Sequence, residues 1–139
     1  MNQNDRVVLE LSADQAKIVE QAMELLFRLH IGQFDQIKWA LMCRRDERMV
    51  GSDSFIDAAL HSLQSFFYPK LLANESFNVN CCEECNTAYA VYQAIRYVNA
   101  WHRNPDGSIG VAFDPPMYTG VPIPKCYLVK EGESHEINA

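Results

Sequence analysis

Nowhere in these 139 residues is there an apolar run approaching the roughly 18 residues that a membrane-spanning helix needs. The opening residues, MNQNDRVV, also lack the basic-then-apolar order of a secretory signal. We therefore expect a protein of the cytoplasm, with no membrane partner and with its thiols reduced. Positive charge is scarce: 12 Lys and Arg face 18 Asp and Glu, for a net charge of −6. That balance speaks against nucleic acid as a partner, because binding a phosphate backbone wants a basic face. The acidic residues are too few and too scattered to imitate DNA. Catalytic signatures are missing as well, with no GxSxG elbow, HExxH pair or Walker sequence. Gly107 to Gly110 is too short for a phosphate loop and precedes no helix. No internal repeat or low-complexity linker divides the chain. We read one domain over 1–139, with 130–139 as a flexible tail.

What is present is an ordinary globular composition, 48% hydrophobic and 22% charged. Arg6 to Leu11 (RVVLEL) reads as a short strand. Ser12 with Gln15 three residues on makes a capping box for a first helix. Ile18, Ala22, Leu25 and Leu29 line its buried face, widened by Val19, Met23 and Leu26. Gly32 stops it, and His30 in the last turn suits the helix dipole better than it suits catalysis. Gln33 to Val50 reads as a second helix, buried through Phe34, Ile37, Trp39, Leu41 and Met42, with a solvated RRDER end. Gly51-Ser52-Asp53 restarts the chain, with Ser52 or Ser54 as N-cap. A third helix follows whose core is Phe55 or Ile56, Ala59, Leu60, Leu63, Phe66 and Phe67, with His61 partly buried among them. Tyr68-Pro69 ends it. Lys70 to Val79 is a loop pinned by Leu71, Leu72 and Phe77.

The fourth helix starts at Asn80, capped in a box with Glu83, and runs to Asn104-Pro105. Asn104-Pro105-Asp106-Gly107 is a turn. Ser108 to Asp114 alternates Ile109, Val111 and Phe113 and reads as a strand. Pro115-Pro116 ends that strand, and Val121 to Val129 forms a proline-limited edge strand. The expected fold is α+β: about four helices packed on a small antiparallel sheet of the N-terminal strand and the two C-terminal strands. Open sheet edges would invite a second copy, so a homo-oligomer is expected.

Two stripes run along the fourth helix. Ala88, Val91, Ile95 and Val98 have the spacing of a buried face. Tyr89, Tyr92, Arg96, Asn99 and Arg103 lie one position further round. Phenol rings stack on bases and guanidiniums hold phosphates, so this stripe, with Trp101 and His102, is the candidate ligand-binding set. The ordinary alternative has the tyrosines at the core edge and the arginines solvated or salt-bridged, and it is the commoner case.

Cys81, Cys82 and Cys85 offer one CxxC, but zinc needs a fourth ligand and there is no second CxxC or HxxxH. Cys43, Cys126, His61 and His102 are isolated candidates. A helix N-terminus lowers a thiol pKa while Glu83 and Glu84 oppose it, so we expect ordinary half-buried cysteines and no metal or other cofactor. His102 beside Asp106 and Asp114 is a geometric option for acid–base work, and an enzyme remains the minority reading, with no catalytic residue assigned.

The runs LLFRLHIGQFDQI and AYAVYQAIRYVNAWHRNPDGSIGVAFDPP, followed by PIPK, resemble small accessory proteins of tailed bacteriophages. The resemblance implies a phage product acting in the host bacterial cytoplasm, and interference with host defence is a frequent task of such proteins. One mechanism it leaves open is sequestration, without cleavage, of a cyclic or ADP-ribose-type nucleotide signal by an oligomer. Another is direct inhibition of a host protein, and a third is a nucleotide-degrading enzyme.

Overall fold

Helix α1, Ala13–His30, begins as its sequence predicts: the Ser12 hydroxyl accepts from the Gln15 N–H while the Gln15 side chain accepts from the Ser12 N–H. The computed structural model describes residues 5–42 and 53–133. After α1 come α2 (Asp35–Met42), α3 (Asp53–Phe67) and α4 (Glu83–Arg103). One 3-10 turn follows at Val111–Phe113. Among the described residues no helix is long and apolar enough to cross a membrane. Cys43, the RRDER cluster, Gly51, Ser52 and the residues after Glu133 lie outside the described set.

The most extensive contact in the fold joins α1 to α4. The two run antiparallel: Cys85 at the start of α4 donates to the Phe27 carbonyl, while Asn99 near its end donates to Glu20 at 2.7 Å. The core between them is Phe27, Ile31, Cys85, Ala88 and Tyr92. Phe27 meets Tyr89 edge-on at 5.0 Å and Tyr92 at 5.2 Å. Each such aromatic pair adds about 0.5–1.5 kcal/mol to simple burial. The buried face of α1 is thus centred on Phe27. Ile18, expected inside, is exposed.

The expected sheet is absent; the fold is helical, with no strand among the described residues. Arg6 to Leu11 joins no ladder. Ser108 to Asp114 folds into a bend and the 3-10 turn instead of a strand. Gly110, at φ +145, takes a backbone conformation that the alternating pattern did not signal. Val121 to Val129 opens on a bend and is likewise unladdered.

The reason lies in who satisfies the C-terminal backbone. Prolines at 115, 116, 122 and 124 remove ladder donors, and α4 supplies side-chain amides in place of a neighbouring strand. Gln93 takes both groups of one residue, donating to the Met117 carbonyl (3.1 Å) and accepting its N–H (2.9 Å). Seven residues earlier on the same face, Asn86 donates to the Thr119 carbonyl (2.7 Å) and accepts from the Thr119 hydroxyl. Residues 114–127 are therefore a strap laid along α4, which is covered by α1 on one side and by the strap on another.

Helices α2 and α3 form an outlying pair. Helix α2 touches α1 and α3, and α3 packs only on α2 among the described helices. Lys38 reaches Asp57 at 2.9 Å between them. Neither helix buries an apolar side chain; the one buried residue is Gln64 on α3, which donates to the Leu72 carbonyl. The expected core residues Trp39, Leu41, Phe55, Leu63, Phe66 and Phe67 are all exposed, as is His61. Tyr68 ties the pair back, donating to the His30 carbonyl at 3.2 Å and packing edge-on against Phe77. Phe77 in turn donates its N–H to Ile31 at 3.0 Å.

Candidate functional site

The stripe proposed for ligand binding is the stripe that packs on α1. Tyr92 is buried, and Tyr89 is half-buried against Phe27. Asn99 is spent on Glu20. The stripe assigned to the core is no more open, with Ala88 buried and Val91, Ile95 and Val98 half-buried, so the buried seam takes Ala88 from one stripe and Tyr92 from the other. Long amphipathic side chains bury their bodies while keeping a polar tip, so Tyr and Arg serve an interface as readily as Val or Ile. Phe27 opposite sets where the buried seam runs, between the two stripes.

Arg96 differs from the rest of its stripe. Its guanidinium lies 4.9 Å from the Tyr92 ring centre, and Nη1 donates to the Tyr92 hydroxyl at 3.3 Å. Nη2 donates to the Val111 carbonyl at 3.3 Å, pinning the 3-10 turn to α4. Its Nε is buried without a hydrogen-bond acceptor. Among the described residues Arg96 makes no ion pair, unlike Arg28, which holds Glu24 at 2.9 Å. The Arg96 charge is met by the Tyr92 ring and two neutral acceptors but by no carboxylate among the described residues, so an anion would be a stronger partner for its outer edge. Burial pushes the Tyr92 phenol up, opposed by its bond to Arg96, so it stays a neutral donor and acceptor at physiological pH.

The end of α4 carries the remaining candidates. His102 and Arg103 are exposed, and Arg103 Nε donates to the Asn99 carbonyl one turn back. Trp101 is 38% exposed, wedged edge-on between Tyr97 and Phe113. Gly107, at φ +78, lies so close to the indole that a Cβ there would come within 2.9 Å of it. The turn after α4 is thus fitted to the Trp101 ring. Beside Tyr97 a groove of about 360 Å³ opens between Ala94 and Tyr97 of α4 and Ile123, Pro124, Lys125 and Tyr127 of the strap. Sequence reading missed this groove because it needs the strap to fold back at Gly120, which sits at φ +109. The amides at Asn86 and Gln93, seven apart and buried on a helix face, were the available signal.

The cysteines meet the end of α1. Helix α4 is capped by Cys82 rather than Asn80, its sulfur accepting from the Cys85 N–H at 3.4 Å. Cys82 Sγ lies 3.5 Å from His30 Nδ1, and Cys81 Sγ donates to the His30 carbonyl. Burial pushes the Cys85 thiol up to about 12 and raises that of Cys81. These two thiols are therefore protonated donors at neutral pH, the reverse of an activated nucleophile. Among the described residues no group of three or more His, Cys, Asp or Glu is arranged to hold a metal ion.

Comparisons with protein-family models, with curated proteins and with solved structures found no match to this chain.

Proposed function

We propose that this protein binds a small anionic, aromatic ligand of nucleotide type and holds it without turnover. In that role it withholds a nucleotide immune signal from a bacterial host, the task implied by the likeness to phage accessory proteins. The observation that carries the reading is Arg96, a guanidinium with an idle buried donor and no carboxylate partner among the described residues. Its present acceptors, the Tyr92 hydroxyl and the Val111 carbonyl, are weaker than a phosphate oxygen, whose charge would strengthen the bond. Arg103, two turns along the same face and exposed, adds a second cation for a diphosphate. The Tyr92 ring under the guanidinium and the exposed Val111 beside it offer apolar surface for a base, while the groove at Ala94 and Tyr97 lies on another face of α4 and is lined by neither arginine. Neutral thiols and a His30 engaged with Cys82 favour holding over cutting.

Isothermal titration with ADP-ribose and a panel of cyclic dinucleotides tests this reading. One member should bind, and Arg103→Ala should weaken it about tenfold, as losing about 1.4 kcal/mol of charge-assisted bonding would. Arg96→Lys, which keeps the charge but loses the planar fork, should weaken it at least as much. The ligand recovered after denaturation should be intact. Failure of the whole panel to bind, or recovery of cleaved ligand, would sink the proposal.

A further inference from the structure

The exposed face of α3 has an order of its own. Phe55, Ala59, Ser62 and Phe66 follow 4-3-4 spacing and form one stripe, with Leu63 at its flank. Phe55 is 78% exposed, Phe66 82% and Leu63 40%, and no charged residue occupies the stripe. Reversing the stripe returns the same pattern: bulky ring, small residue, small residue, bulky ring. A two-fold axis between Ala59 and Ser62 would set Phe55 of one copy beside Phe66 of the other. It would also set Ala59 beside Ser62, where small side chains let the helices approach closely.

We infer that α3 is the interface of a homodimer, pairing antiparallel with α3 of a second copy about that axis. Self-complementarity is what an isologous contact requires, and the stripe has it. The charge pattern agrees, because two copies of a chain at −6 can meet closely only on an uncharged face. The two exposed rings of the stripe, Phe55 and Phe66, offer roughly 300–500 Å² of side chain per copy, taking 150–250 Å² for each ring. Two copies would bury roughly 600–1,000 Å², the area of a weak, reversible dimer. The inference stands apart from the ligand reading, since its residues touch neither Arg96 nor the groove.

Sedimentation velocity on the full chain, with native mass spectrometry, tests it. The wild type should run as a dimer of 15.9 kDa chains. Phe66→Asp should give a monomer with unchanged helical circular dichroism, since this ring is exposed within one copy. Ser65→Asp, off the stripe, should remain a dimer. The register has its own check: Ala59→Glu and Ser62→Lys chains should each be monomeric alone and form a heterodimer when mixed. A monomeric wild type would overturn the inference, as would a dimer indifferent to Phe66→Asp or a mixture that stays monomeric. A monomer that instead sediments with lipid vesicles through Phe66 would reassign the face to a membrane surface.

Discussion

Gly32 follows the end of α1 at a position where any side chain is strained. It sits at φ +91, where an L-residue is strained, and a Cβ there would run into the Leu71 side chain. Gly32→Ala should therefore cost about 1–2 kcal/mol from the backbone alone, with the Leu71 contact adding to it. Urea denaturation should show this as a lower midpoint with the slope unchanged. Cys85 gives a pH signature. Its thiol is held up at about 12 in the fold against an ordinary 9.0, so between these values the unfolded chain has lost a proton that the folded chain keeps. The stability this group confers is complete below pH 9 and is lost as pH climbs towards 12. Tyr68 and Tyr92, also raised by burial, act in the same direction. The melting temperature should fall as pH rises above 9, and Cys85→Ala should flatten the first part of that fall. In the native protein Cys85 should also resist alkylating reagents longer than the exposed Cys81 and Cys126.

The strap depends on two amides of α4. Gln93→Ala would leave the N–H and carbonyl of Met117 without their partners, a loss of about 1–3 kcal/mol if they stay buried. Detachment of the strap is the relief, so the Met117 amide should exchange with solvent markedly faster in the variant while α1 amides keep their protection. If exchange at Met117 is unaltered, the strap is held by something other than Gln93. The same element shows why the sheet was expected and is missing. Ile109, Val111 and Phe113 have the alternation of a strand, but alternation reports only that one side is apolar. Phe113 satisfies it by packing on Trp101 from a 3-10 turn, with Gly110 making the bend. Segments rich in proline then had no ladder to join, and side-chain amides took its place.

At the level of the molecule, α1, α4 and the strap make a closed unit, whereas α2 and α3 stand apart with their rings in solvent. That division predicts different responses to disruption. Ser62→Glu, at the centre of the α3 stripe, should lower the melting temperature in a concentration-independent way, because the dimer's contribution by mass action disappears. In the wild type, dilution should lower it. A wild-type melting temperature that ignores protein concentration would separate the exposed rings from assembly altogether.

Much of this architecture was legible in the residues. The capping box at Ser12, the stops at Gly32, Pro69 and Asn104-Pro105, and the long fourth helix all depend on neighbours within a few positions, and local sterics and hydrogen bonding settle them. The orientation of that helix was not legible. Its Tyr/Arg stripe and its Val/Ile stripe are both apolar enough to be buried, and Phe27, arriving from a segment some sixty residues earlier, sets the seam between them, burying Ala88 of one and Tyr92 of the other. The candidate site changed for the same reason. Asn99 and the tyrosines were claimed by α1, Arg96 was left with an idle donor, and the groove beside Tyr97 came into being when the strap turned back at Gly120. Helix starts and ends are short-range matters that a sequence states directly. Which apolar face is covered, and which cation is left without a carboxylate among the described residues, depends on partners distant in the chain, and those only tertiary packing supplies.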